Sequence, residues 1–356
     1  MNKMRLKQYL SSVLPSTKFF DSILDPFPPS VHFAMTNRCN LSCTFCGQAK
    51  DKWRKEDELT FEQYKDLIDQ VAAMKNRTVS FCGGEIYLYR DIEKVMEYCY
   101  RRKIAIEMVL TNGTLLNEQR IKALIEYNVK FVGFSIDGIR DSHDRIRGLK
   151  GAYDKTVSAI KLLNEFKNKR KNANPSIGIN FVITKKSVSE MEAVAKIASE
   201  LDVNVLRLSY LNYISEKKLS EHRNFLQTKY SDFNFCYWDG FLDNDTALDS
   251  QKLFKEIKRI QNNYRHIAFF HNLNERNMEK WYNSDDPIFN QCASLGSCFF
   301  ILPNGDFPLC DFVRYPVGNV KERSLLDLWF DDKTRAFRKD ISRKLLPGCE
   351  RCCSVS

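Results

Sequence analysis

No run of apolar residues in this chain approaches the roughly 18 to 20 needed to cross a bilayer as a helix, which argues against a transmembrane anchor. The first thirty residues also lack an apolar signal-peptide core and a small-residue cleavage site. They mix Lys3, Arg5, Lys7 and Lys18 with Asp21 and Asp25 and end in Pro26-Phe27-Pro28-Pro29. Internal repeats and low-complexity tracts are missing, which excludes solenoids and compositionally biased linkers. No aromatic-and-basic motif accompanies the net charge of +10, so that charge reads as solvated surface and not as a nucleic-acid patch. The one dense run, Lys167-Asn168-Lys169-Arg170-Lys171, closes an expected helix, where cations suit the C-terminal end of the dipole. What remains is a cytoplasmic protein without membrane or nucleic-acid partners. In such a chain twelve cysteines read as metal ligands and not as disulfides.

At 356 residues and 43% hydrophobic content, the chain can bury a large core and is long for one compact domain. Residues 1–30 read as an amphipathic helix (Leu6, Tyr9, Leu10, Val13, Leu14) and a proline-rich connector. Strand-like runs follow at Val31 to Thr36, Thr78 to Cys82, Ala105 to Leu110, Phe131 to Ile136, Ile177 to Ile183 and Val203 to Ser209. Helical patterns lie between them at 60–74, 90–101, 116–127, 151–166 and 187–200. Strand and helix in strict alternation predict an α/β fold with parallel strands, and right-handed crossovers bring every strand's C-terminal end to one rim. At that rim fall Cys39-Asn-Leu-Ser-Cys43-Thr-Phe45-Cys46, Gly83-Gly84-Glu85, Thr111-Asn112-Gly113 and Ser135-Ile136-Asp137-Gly138.

Three thiolates packed this closely can occupy three corners of an iron–sulfur cube and leave the fourth iron open, whereas a closed cluster or structural zinc site takes four. The C-x3-C-x2-C loop after the first strand, with Phe45 before the last cysteine, resembles the signature of the radical S-adenosylmethionine (radical SAM) superfamily. That resemblance implies an open partial (β/α)6 TIM-like barrel over residues 31–210. It also implies an open iron that binds SAM and reductive cleavage of SAM to a 5′-deoxyadenosyl radical. Gly83, Gly84 and Glu85 match a motif that holds the amino group of SAM, although Ile86 stands where the family usually has proline. On the bare residues, the two glycines let backbone approach a ligand closely, and Glu85 offers an acceptor for an ammonium group. The segment from Ser135 to Gly148 looks like that of relatives with a C-terminal SPASM or twitch extension. The resemblance therefore assigns SAM contacts to Ser135 and Arg147 and an adenine-bordering place to Leu208, while His143 reads as a loop histidine capping Asp144.

Residues 211–290 read as a mostly helical bridging segment over the open side of the barrel, where substrate contacts would lie. Residues 291–356 carry six more cysteines. Ile301 to Cys310 reads as a hairpin turning at Asn304-Gly305. Cys292, Cys310, Cys349 and Cys352 match the twitch pattern, a shortened SPASM domain with one auxiliary [4Fe–4S] cluster, while a four-thiolate zinc ribbon stays open as the alternative. Cys298 is an ambiguous ligand read as a buried strand residue, Cys82 and Cys99 are read as core cysteines, and Cys353 as a bystander.

The resemblance as a whole implies two [4Fe–4S] clusters, SAM, an electron donor such as flavodoxin or ferredoxin, and a small-molecule or peptide substrate. Oxidation of a carbinol in a sugar or cyclitol is the favoured reaction. Epimerisation and maturation of a ribosomal peptide are its alternatives, with Cys236 the hydrogen donor of an epimerase. A non-catalytic zinc-binding or nucleic-acid-interacting protein is the alternative from another class.

Overall fold

The computed structural model describes residues 28–47, 58–74, 77–170, 174–230, 233, 236–270, 273–292, 294–296 and 298–352. The expected N-terminal helix and Cys353 lie outside these residues. The chain enters at β1 (Ser30–Ala34) and alternates through α1 (Phe61–Ala73), β2 (Thr78–Cys82), α2 (Ile92–Arg101), β3 (Ala105–Thr111), α3 (Glu118–Glu126) and β4 (Phe131–Ser135). There follow α4 (Asp141–Arg147), α5 (Ala152–Arg170), β5 (Ser176–Ile183), α6 (Met191–Glu200) and β6 (Val205–Tyr210). All six expected strands form within a residue or two of their predicted bounds. They are short buried runs closed by turn residues, and the helices between them bury one face at helical spacing, as Met191, Val194, Ala195 and Ala198 do in α6. Thr60 opens α1 with a reciprocal capping box to Gln63, and Asn117 caps α3 through the Arg120 amide, each worth about 1 kcal/mol.

The six strands pair in parallel and in sequence order, and the sheet stays open. It carries two strands beyond those six. After α7 (Glu216–Lys229) and α8 (Ser250–Asn263), β7 (Ala268–Phe270) adds to β6; after α9 (Glu275–Asn283), β8 (Cys298–Ile301) adds to β1. The predicted hairpin is thereby corrected. Gly305 makes the turn at φ +91°, but the strand before it belongs to the large sheet. The strand after it, β9 (Asp306–Pro308), pairs antiparallel with β10 (Pro316–Asn319). Two helices, α10 (Leu325–Trp329) and α11 (Asp332–Arg343), complete this C-terminal hairpin-and-helix unit.

Two hydrophobic cores result. The larger holds the outward faces of β1–β6 with the helices over them, and also takes Leu253, Ile257 and Ile260 of α8 and Met278, Trp281 and Tyr282 of α9. The smaller joins Leu219 and Leu226 of α7 to Trp238, Leu309, Val313, Phe337 and Ile341. The expected single bridging unit at 211–290 is thus divided, because α8, β7 and α9 finish the barrel while α7 and the 3-10 turn Tyr237–Phe241 serve the C-terminal unit. Among the described residues no helix is long and apolar enough to cross a membrane.

Candidate metal centre and adjoining cavity

The loop bearing Cys39, Cys43 and Cys46 is held from both sides by backbone. The Gly84 amide donates to the Thr36 carbonyl at 2.7 Å and the Glu85 amide to that of Arg38 at 2.9 Å. A Cβ on Gly84 would stand 2.3 Å from the Arg38 oxygen, and one on Gly83, at φ +133°, 2.4 Å from the Thr36 oxygen. Both positions exclude a side chain because the cysteine loop itself lies there. The close approach expected of a ligand at this motif is made by the chain's own backbone. On the other side, Ser42 and Thr44 amides donate to the carbonyls of Arg147 and Ile146 at the end of α4, at 3.1 and 2.9 Å. Gly148 leaves that helix in the left-handed region, and a Cβ there would meet Ser42 Oγ at 2.3 Å. Arg38 closes a two-pronged pair with Glu58 at 2.8 and 2.9 Å, fixing the loop's entry.

Second-strand and third-strand rim residues supply the polar surroundings. Glu85 is fully buried, and its carboxylate accepts from the Thr111 hydroxyl (2.8 Å) and the Asn112 amide (2.7 Å). Burial pushes this carboxyl upward, and those donors oppose the shift. Asn112 in turn donates to Asn40 Oδ1 at 2.9 Å and reaches Cys39 Sγ at 3.9 Å. Asp137, to which no role was assigned from its motif, is fully buried, accepts from the Val182 amide at 2.6 Å and ion-pairs with Arg147. Burial pushes the Asp137 carboxyl upward, and the Arg147 guanidinium and the Val182 amide oppose the shift. Arg147 also donates to Cys43 Sγ at 3.6 Å and lies 5.4 Å over the Phe45 ring. Ser135 ends β4 on the interior face, with Phe131 and Gly133.

This donor set fits an open cluster. Cys39 and Cys43 thiols are both pushed up by burial, Cys39 to about 11; Cys39 also feels Cys43 and Cys46 electrostatically, and Cys43 feels Cys46. Loading must therefore release protons. The Leu41 amide already points at Cys39 Sγ, at 3.4 Å, as donors to cluster sulfurs do. Arg147 Nε and both amide atoms of Asn37 are buried with no hydrogen-bond partner among the described residues, which leaves polar capacity beside the cysteines for a zwitterionic ligand. No three His, Cys, Asp or Glu side chains among the described residues are gathered tightly enough for a single metal ion. A cube of four irons holds its thiolates further apart than one ion does.

Beside Cys46 the barrel encloses a cavity of about 320 Å³, lined by Phe45, Met108, Leu110, Phe131, Asn180, Val182, Val205, Arg207, Ser209 and Tyr210 among others. Room exists because β4 and β5 carry Gly133 and Gly178 on this face, where a Cβ would meet Leu110 or the Phe131 ring. Leu208 lies on β6 one residue out of phase with Arg207 and Ser209, packs in the larger core and is not among the residues that line this cavity. His143 is corrected, because it lies within α4, is 1% exposed and accepts from the Asp137 amide at 3.2 Å through Nδ1.

At the C-terminal unit, Cys292, Cys310 and Cys349 feel one another electrostatically, and Cys352 packs in the same small core. Burial pushes Cys349 to about 12 and Cys310 well above its ordinary value. The Val313 amide donates to Cys310 Sγ at 3.2 Å. Arg351, between the last two of these cysteines, donates to the Trp281, Lys280 and Asp286 carbonyls at 3.0, 2.7 and 3.1 Å, tying the Cys349–Cys352 turn to the end of α9. Cys298 is the first residue of β8, as a strand residue should be, but it is only half-buried. Cys236 is corrected as a residue of the barrel mouth. It packs at 5% exposure in the small core with Trp238 and Leu309, outside the cavity lining.

An open parallel barrel with a three-cysteine loop at its rim and a cysteine-rich C-terminal unit defines an iron–sulfur enzyme class, and comparison with known proteins agrees. Residues 33–198 match the radical SAM superfamily and residues 292–353 an iron–sulfur cluster-binding (SPASM) domain. The chain belongs to the radical SAM superfamily, and as such an enzyme it uses SAM and two [4Fe–4S] clusters. It is 29% identical over 335 residues to the Fe-coproporphyrin III synthase of Methanosarcina barkeri, covering 91% of this chain and 80% of that one. It is 28% identical to the AdoMet-dependent heme synthase of the same organism, covering 91% and 88%. Its fold matches that of Streptococcus suis SuiB bound to S-adenosylmethionine with a TM-score of 0.65, at 19% identity over 97% of this chain and 81% of that chain. The expectation of sugar or cyclitol oxidation finds no relative among these.

Proposed function

We propose that Cys39, Cys43 and Cys46 hold the SAM-binding cluster at the barrel rim, and that Phe45, Gly83, Gly84, Glu85, Ser135 and Arg147 form the surroundings of SAM. Cys292, Cys310, Cys349 and Cys352 would hold the second cluster. When bound, the reduced cluster and SAM supply a hydrogen-abstracting radical; everything else falls to the chain's own residues. Arg147, already compensated by Asp137, offers its Nε to a carboxylate, and the Asn112 and Glu85 network keeps the Cys39 side of the loop in place. The apolar cavity excludes water from the substrate position. One-electron input would come from an acidic carrier of the flavodoxin or ferredoxin type, which suits a chain of net charge +10.

The substrate is a tetrapyrrole, modified on a side arm. The likeness that carries this reading runs along 91% of the chain to two proteins named for Fe-coproporphyrin III and heme synthesis. A cavity of about 320 Å³ admits a side arm and not a macrocycle, so the ring would stay at the mouth. The test is anaerobic: reconstituted, reduced enzyme with SAM, with and without coproporphyrin III or its iron complex. A porphyrin-dependent rise in 5′-deoxyadenosine together with a mass change in the porphyrin supports the proposal. Unchanged porphyrin with 5′-deoxyadenosine at the background level removes it and leaves a peptide as the substrate class to test.

A further inference from the structure

We propose that Arg207 is the anchor for a substrate carboxylate inside the barrel. The side chains of β6 alternate about the sheet, with Leu206 and Leu208 buried in the outer core and Val205, Arg207 and Ser209 turned to the cavity. Among the described residues Arg207 is the one charged residue in the cavity lining, and it is exposed. Around it stand Met108, Leu110, Phe131, Val182 and Val205, none of which can compensate a cation. Among the described residues no carboxylate belongs to the lining and Arg207 has no ion pair. Such a guanidinium costs free energy unless it meets water or an anion, and a carboxylate meets it with two parallel hydrogen bonds. Asn180, the register partner of Arg207 on β5, and Ser209 add neutral donors beside it. Arg207 lies two residues, roughly 6.6 Å, below Ser209 along the strand, so an acid held there points its adjoining carbons up toward Cys46 and the cysteine loop. A phenyl-sized group on a short acid arm fits the volume. The assignment deepens the tetrapyrrole proposal, since coproporphyrin arms end in carboxylates, but it stands on the cavity alone.

The test uses 3-(4-fluorophenyl)propanoate and its uncharged amide as probes, followed by fluorine NMR on anaerobic holoenzyme. The acid is expected to bind at least tenfold more tightly than the amide, which is about 1.4 kcal/mol. Arg207→Met should erase that preference, and Arg207→Lys should retain part of it. Equal binding of acid and amide, no binding of the acid at millimolar concentration, or a preference that survives in Arg207→Met would each overturn the assignment. A second arm titrates coproporphyrin III and its tetramethyl ester. If arylpropanoate discriminates by charge at Arg207 while coproporphyrin III fails to bind, the anion site stands and the tetrapyrrole reading falls. If both porphyrins bind equally and neither arylpropanoate nor porphyrin responds to Arg207→Met, the tetrapyrrole reading survives and the anion site falls.

Discussion

The guanidinium of Arg147 faces Cys43 Sγ at 3.6 Å with one nitrogen and pairs with the fully buried carboxylate of Asp137 through another. One side chain thus couples the cysteine loop, the end of β4 and, through the Val182 amide on Asp137, the end of β5. Breaking a buried pair from one side strands a charge, at about 3–5 kcal/mol, whereas removing both partners costs less. Arg147→Met should therefore destabilise the protein more than Arg147→Met with Asp137→Asn. Urea denaturation under anaerobic conditions reads the difference, and strictly additive losses would show that the two residues do not depend on each other.

Gly84 and Gly151 separate two reasons for glycine. At Gly84 a Cβ would strike the Arg38 carbonyl of the cysteine loop, whereas Gly151, at φ +79°, has nothing within 4 Å. Gly84→Ala should displace the loop and cut both iron content and 5′-deoxyadenosine formation at least tenfold without removing a ligand. Gly151→Ala should cost only backbone strain, on the order of 1 kcal/mol, and keep its iron. Colorimetric iron assay and chromatography of the nucleoside check both, and full activity in Gly84→Ala would refute the docking role.

His143 ties stability to acidity. Burial, followed by the neighbouring Arg147 charge, lowers its pKa to about 3, while the unfolded chain titrates near 6.5. Between those values the unfolded state binds more protons than the native one, so stability rises with pH and falls as the solution is acidified. Each pH unit below about 6.5 should cost up to roughly 1.4 kcal/mol from this residue. Denaturation midpoints at pH 7.0 and 5.5 measure the slope. His143→Gln, which retains an acceptor for the Asp137 amide, should reduce it by this residue's share and leave that of His32 and His222, which burial also lowers, each to about 4.

Six strands were legible because each is a short apolar run bounded by turn residues, and the cysteine loop because its spacing is local. Tertiary choices were not. Cys298 to Ile301 looks like the first arm of a hairpin, yet it pairs with β1, and nothing in its own residues records that partner. Asp137 stood in a quoted motif without a role, since its pairing with Arg147 depends on how α4 folds back. Arg207 did leave a signal, a charge alternating with leucines in V-L-R-L-S, which marks the interior face of β6.

The two cysteine sets should part cleanly under mutation. Native protein should hold about eight irons, and Cys349→Ala with Cys352→Ala about four, while SAM cleavage persists. Replacing Cys39, Cys43 and Cys46 with alanine should abolish 5′-deoxyadenosine altogether. Arg351→Gln should reproduce part of the first effect, because it frees the Cys349–Cys352 turn from the α9 carbonyls. One zinc and about four irons in the native protein would instead establish a zinc ribbon at the C-terminus.

Cys236 decides between two outcomes for a substrate radical. A thiol can return a hydrogen atom only if its sulfur reaches the substrate, and the described cavity lining contains Cys46 but not Cys236. Cys236 instead packs between Trp238 and the C-terminal unit, where burial raises its thiol to about 11 and Asp239 and Arg223 lie within electrostatic reach. A small buried thiol in this setting contributes packing, so Cys236→Ala should cost about 1 kcal/mol of stability and leave product identity unchanged. With substrate in hand, turnover in deuterium oxide gives the deciding measurement. If wild-type enzyme places solvent deuterium on a product carbon and Cys236→Ala does not, while 5′-deoxyadenosine still forms, then Cys236 reaches the substrate and the enzyme is an epimerase.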